Sequence, residues 1–107
     1  MEERVVVSEG GGRADFRIRT PGRYAMDLAV DLMEFLDRQP NVSVGNTGWK
    51  QGFGLRVADW IPIHTKNAVA ELQTDGDEIL IRHESGARSE FVAVMDLVRR
   101  FVRDLRR

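Results

Sequence analysis

Across residues 23–38 the polar side chains Asp27, Asp31, Glu34 and Arg38 recur at intervals of four, three and four. Ala25, Leu28, Ala29, Leu32, Phe35 and Leu36 fill the positions between them. One wet stripe opposite one apolar stripe, at a period near 3.6, predicts an amphipathic helix. Gln39-Pro40-Asn41 ends it, because the residue before a proline is pushed out of helical backbone. The same period returns near the C-terminus in Phe91, Val94, Met95, Val98, Phe101, Val102 and Leu105. Ser89 stands where an N-cap belongs. Arg99, Arg100, Arg103, Arg106 and Arg107 crowd the last turns, where the helix dipole favours cations.

Elsewhere the pattern shortens to a period of two. Residues 14–20 set Ala14, Phe16 and Ile18 against Asp15, Arg17 and Arg19, and residues 78–83 place Ile79 and Ile81 on one face. Both read as half-buried strands. Val42-Ser43-Val44 reads as another, and Trp60-Ile61-Pro62-Ile63 as a strand interrupted by Pro62. Residues 65–73 read as a short second helix burying Ala68, Val69 and Leu72. Val5-Val6-Val7, cut off by Gly10-Gly11-Gly12, reads as a short extra strand or arm. Turns fall at Thr20-Pro21-Gly22, Asp75-Gly76 and Ser85-Gly86, and a glycine-rich loop spans residues 45–54. The expected order is (β)-β-α-β-β-α-β-α. Alternating strands beside amphipathic helices argue for an α+β fold, an antiparallel sheet with helices on one face and water on the other. The expected division is an N-terminal arm over residues 1–13 and one domain over 14–107, with an inserted hairpin or loop near 45–60.

Composition narrows the chemistry. A chain of 107 residues with 42% hydrophobic residues holds one core without staples. With no Cys there is no disulfide, thiolate metal site or Cys nucleophile. His64 and His83, one each in distant segments beside scattered carboxylates, give no metal-ligand spacing, so neither metal nor cofactor is expected. The first residues lack a secretory-signal pattern, and no run approaches the ~20 apolar residues of a membrane span. A cytoplasmic protein without a membrane partner is expected. A formal net charge of −1 gives no sign of a nucleic-acid partner.

The strand DFRIRT running into Pro21-Gly22-Arg23-Tyr24-Ala25-Met26-Asp27, then Lys66-Asn67-Ala68-Val69, then Gly76-Asp77-Glu78-Ile79-Leu80-Ile81, resembles the histidine-containing phosphocarrier proteins (HPr) of the sugar phosphotransferase system. The resemblance covers residues 14–105. It implies an HPr-like open-faced β-sandwich, βαββαβα, with a four-stranded antiparallel sheet covered on one face by three helices. Its active-site motif, Gly-x-His-Ala-Arg-Pro, matches only at Gly22 and Ala25. Tyr24 takes the place of the phosphorylated His, Met26 that of the Arg, and Asp27 that of the Pro. A phenol with a pKa near 10 is a poor nucleophile without a base. Met26 removes a cation that would offset phosphate charge, and Asp27 sets an anion where phosphate would sit. Asn67 replaces the regulatory Ser and keeps only a capping role.

These departures predict a non-catalytic, degenerate HPr-like interaction or regulatory module. The resemblance places its docking face on Gly22, Arg23, Tyr24, Met26 and Asp27 together with His64, Lys66, Asn67 and Val69, the starts of the first and second helices. Tyr24 is either a packed aromatic or a contact residue. Trp49 stands in the glycine-rich loop, either as part of a sticky contact surface or folded back on the sheet. The alternatives are a working phosphocarrier using His64 or Tyr24, and a homo-oligomer, such as a homodimer, built by the N-terminal arm or the Trp49 loop adding a strand to a neighbour.

Overall fold

The computed structural model describes residues 6–9 as backbone and residues 14–20, 25–45 and 60–105 in full. Gly22, Arg23, Tyr24, Trp49 and the rest of the glycine-rich loop over residues 46–54 lie outside the described residues. The elements are β1 (Val6–Glu9), β2 (Phe16–Arg19), α1 (Ala25–Asp37), β3 (Ser43–Val44), β4 (Ile61–His64), β5 (Ala68–Asp75), β6 (Glu78–Gly86) and α2 (Arg88–Leu105).

Six strands form one antiparallel sheet in the order β1-β2-β6-β5-β4-β3. This overturns the expected four strands under three helices. Among the described residues there are two helices, and the segment read as a helix over 65–73 is strand β5. The reason is visible in its pairing. Ile61↔Leu72↔Ile81 and Ile63↔Ala70↔His83 lock β5 between two strands, so Ala68, Ala70 and Leu72 alternate into the core. The three residues 65–67 are enough for a hairpin but far too few for a crossover. With β5 in place of a helix, the HPr-like order of elements is lost.

Several expectations hold. The acidic stripe of α1 is exposed at Asp27, Asp31 and Glu34, and its opposite face is buried from Ala25 to Leu36. The N-terminal run pairs within its own sheet, Val7 opposite Ile18. Gly76 and Asp77 join β5 to β6, with Gly76 at φ +62°, the first-position glycine of a two-residue hairpin turn. Ser89 is not the N-cap expected of it: α2 starts at Arg88, so Ser89 is its second residue, and the Ala87 carbonyl accepts the first helical bonds, from Glu90 and Phe91.

Both helices cover one face of the sheet. Phe16, Ile18, Ile63, Leu72, Ile79 and Ile81 point into that layer and meet Leu32, Met33 and Leu36 of α1 and Phe91, Val94 and Val98 of α2. Phe35 and Phe101 join the two helices, with ring centroids 5.4 Å apart. The other face is held by ion pairs, among them Arg82 to Glu71 at 2.6 Å and Arg17 to Glu78 at 3.8 Å. Trp60 lies 3.9 Å from the Arg82 guanidinium. Its centre is not wet as expected: Leu80 and Gln73, opposite each other on β6 and β5, are both buried. No helix among the described residues is long and apolar enough to cross a membrane.

Candidate functional site

The two halves of the expected docking face sit at opposite ends of the sheet. α1 begins where β2 ends, and there Thr20 donates both its backbone N–H and its hydroxyl to the Asp77 carbonyl in the β5–β6 turn. Met26 is half-buried and Asp27 exposed at that end. His64, Lys66 and Asn67 lie exposed, and Val69 half-buried, around the β4–β5 hairpin, beside the C-terminal end of α1. The connection is direct, because Asp37 in the last turn of α1 accepts the Val44 N–H, and β3 pairs with Ile63 and His64. A helix of 13 residues is about 20 Å long, so that distance separates the two groups.

The β4–β5 hairpin has a structural task of its own. Glu90 of α2 accepts from the Thr65 hydroxyl at 2.7 Å and from the Asn67 N–H at 2.9 Å. These bonds, the Thr65 contact first, hold the Glu90 carboxyl below its usual range. The Thr65 hydroxyl in turn accepts the Ala68 N–H at 3.0 Å, and the Ala87 N–H reaches the Asn67 carbonyl at 2.8 Å. The bonds to Glu90 and from Ala87 tie the hairpin to the start of α2.

An open concave surface lies instead between the start of β2 and one flank of α2. It has a volume of about 300 Å³. Phe16 from the sheet and Phe91 and Met95 from the helix, all buried, make its floor, and Val92 stands in it 46% exposed. Arg88 and Arg99 mark its two ends along α2, and Asp15 sits at the Arg88 end. On the helix these residues follow the spacing 88, 92, 95, 99, which is one stripe. Arg88 lies over the Phe91 ring at 4.8 Å and Arg99 over the Phe16 ring at 5.3 Å, so the guanidiniums cover aromatic faces.

At the Arg88 end His83 falls on the helix side by plain alternation with Ile79 and Ile81, opposite the buried Ala70; beyond it the pairing of β5 with β6 slips between Val69 and Ala70, leaving Glu84 as the extra residue of a β-bulge. His83 stacks on Phe91, with centroids 5.0 Å apart. Its Nε2–H donates to the Ser85 carbonyl at 3.0 Å, so Nδ1 carries the lone pair, 3.4 Å from Arg88 Nη1. Asp15 accepts the His83 backbone N–H at 2.8 Å and leaves its second oxygen 3.8 Å from Arg88. At the other end Arg99 donates to Asp96 at 2.8 Å, a contact within one turn of the exposed helix face. The set can bind; both His83 ring nitrogens and one Asp15 oxygen are already committed to the framework.

Comparison of the chain with protein-family models, curated proteins and solved structures returned no match. The likeness to the phosphocarriers therefore gains no support from relatives.

Five of the seven lining residues have other roles in the sequence pattern, and Arg88 and Val92 have none there. Phe16, Phe91 and Met95 counted as core, and Arg99 as a cation at a helix C-terminus. The available signal was the stripe Arg88, Val92, Met95, Arg99, where polar ends bracket an apolar middle on one face. What hid it was the neighbour: only the three-dimensional approach of β2 to α2 turns a helix flank into a cleft. Among the described residues no three His, Asp or Glu side chains gather as a metal site.

Proposed function

We propose that this protein is a non-catalytic protein-interaction module whose partner seats in the cleft between β2 and α2. The observation that carries the reading is the exposed Val92 on a buried apolar floor, bracketed by two guanidiniums. Interfaces favour this composition, with apolar and Arg contacts at the centre of a desolvated patch. The surrounding polar groups support binding over reaction. The hydroxyl–carboxylate pair of Thr65 and Glu90 is spent on the hairpin. A phosphoryl relay through His64 has no comparable support, since its ring stands exposed on β4, a helix length away from the start of α1.

The test is capture with the full chain bearing single substitutions. A partner held by the wild type is expected to be lost on Val92→Asp and retained on Asp27→Lys and Lys66→Glu. Retention on Val92→Asp, with loss on either of the others, would move the partner surface to the ends of α1.

A further inference from the structure

Resting on that reading, we propose that the partner in the cleft is a second copy of this chain. The two α2 helices lie antiparallel, with Val92 of each copy in the cleft of the other. Arg88, Phe91, Val92 and Met95 stand at i, i+3, i+4 and i+7 of α2, the four positions that frame the hole of a knobs-into-holes contact. All four line the cleft, and three of them are apolar. The knob such a hole takes is a compact apolar side chain standing clear of its own helix. Val92 is one, at 46% exposed, whereas Leu105, the other exposed large apolar residue among those described, lies at the far end of α2. Knob and hole thus sit on one patch, which is what a two-fold contact between identical chains requires.

Charge sets the direction of the pair. In antiparallel helices centred on Val92, residues equally far before and after it face each other. Arg88 and Asp96 stand four before and four after, about 6 Å to either side along the axis. Arg88 of each copy therefore meets Asp96 of the other, giving two ion pairs across the dimer. Parallel helices would set Arg88 on Arg88 and Asp96 on Asp96, which like charges oppose. The Arg88 and Asp96 side chains are 61% and 68% exposed, so both can reach across. Asp96 receives Arg99 on Oδ1, and a carboxylate accepts at two oxygens. Arg88 and Arg99 with Asp15 and Asp96 balance to zero, so two copies meet without net repulsion. The same balance offers no particular pull on an acidic peptide or a nucleic-acid backbone. The cleft is open along one side, which suits a protein surface better than a small molecule that must be mostly enclosed. One helix flank falls short of the roughly 800 Å² per partner of stable complexes, so the dimer is weak and concentration-dependent.

Sedimentation equilibrium of the full chain from about 0.02 to 1 mM tests this, with dissociation constants of roughly 0.01–0.5 mM expected for so small a contact. Val92→Asp should be monomeric throughout. Arg88→Glu and Asp96→Arg should each weaken self-association at least about 10-fold, since each turns two attractive pairs into two repulsive ones. An equimolar mixture of those two variants should regain the wild-type strength, because in the mixed pair every position again faces its opposite charge. A purely structural role for either residue cannot produce that recovery. Unchanged Ile79 and Ile81 methyl signals certify that each variant is folded. A mixture no stronger than its components overturns the proposal. A wild type that stays monomeric at the highest concentration overturns it too, while a different protein captured by the wild type and lost on Val92→Asp would keep the cleft as a partner surface. Self-association undiminished in Val92→Asp overturns the second copy at this site, and capture undiminished in the same variant removes the cleft reading with it.

Discussion

Gly86 holds a backbone φ of +86°, and a Cβ placed on it would press against the Asn67 carbonyl and lie 2.6 Å from the Ala68 Cα. Both neighbours are backbone in a paired hairpin, so neither can swing away. Gly86→Ala therefore meets an unfavourable conformation and a clash together, and a loss of about 2–3 kcal/mol is expected in urea unfolding. A loss below about 0.5 kcal/mol would mean that the β4–β5 hairpin does not pass so close to the end of β6. Glu90 works on the same clasp through charge. Its carboxyl is held low chiefly by the Thr65 hydroxyl and then by the Asn67 amide. A carboxylate whose pKa is lower folded than unfolded adds stability above its unfolded value, and the gain drains away as pH falls through the folded value. Glu90→Gln should thus destabilise at pH 7, with the difference from wild type shrinking below about pH 4.3 and vanishing in stronger acid. Paired thermal melts across that range check it; a gap that widens in acid would have the wrong sign.

Elements differ in how plainly the residues announce them. α1 and α2 were legible because their apolar stripes run long enough for a 3.6 period to be told from chance. β2 and β6 were legible by strict alternation. β5 was not, because Ala68, Val69 and Leu72 fit a helical face as well as Ala68, Ala70 and Leu72 fit a strand face, and alanine favours helices. Pairing on both sides decided it, with β4 and β6 supplying partners that no local pattern records. The mistake propagated: a strand at 68–75 removes the second helix start on which the phosphocarrier likeness placed half of its docking face. Opposite-face burial was also illegible, since Leu80 looks like the wrong phase of an alternating strand. These assignments predict nuclear Overhauser contacts between the Leu72 and Ile81 side chains and between Ile61 and Leu72. Sequential i,i+3 contacts running through residues 66–73 would instead restore the helix and reverse the topology.

The molecule as a whole carries almost no net charge, yet its helix layer is uneven, with Asp27, Asp31 and Glu34 along α1 and Arg99, Arg100 and Arg103 on the second half of α2. Stability rests mainly on the layer between helices and sheet, where Phe16, Leu32, Ile79, Ile81 and Val98 are sealed from water. Exposed ion pairs contribute about 0.2–1 kcal/mol each, and their reach contracts from about 10 Å at 0.1 M ionic strength to about 3 Å at 1 M. The melting temperature is therefore expected to shift little in Arg99→Gln, whose contact to Asp96 is an exposed i,i+3 pair. A large drop in melting temperature for Arg99→Gln would make that arginine a structural cover over Phe16 rather than a contact for a partner.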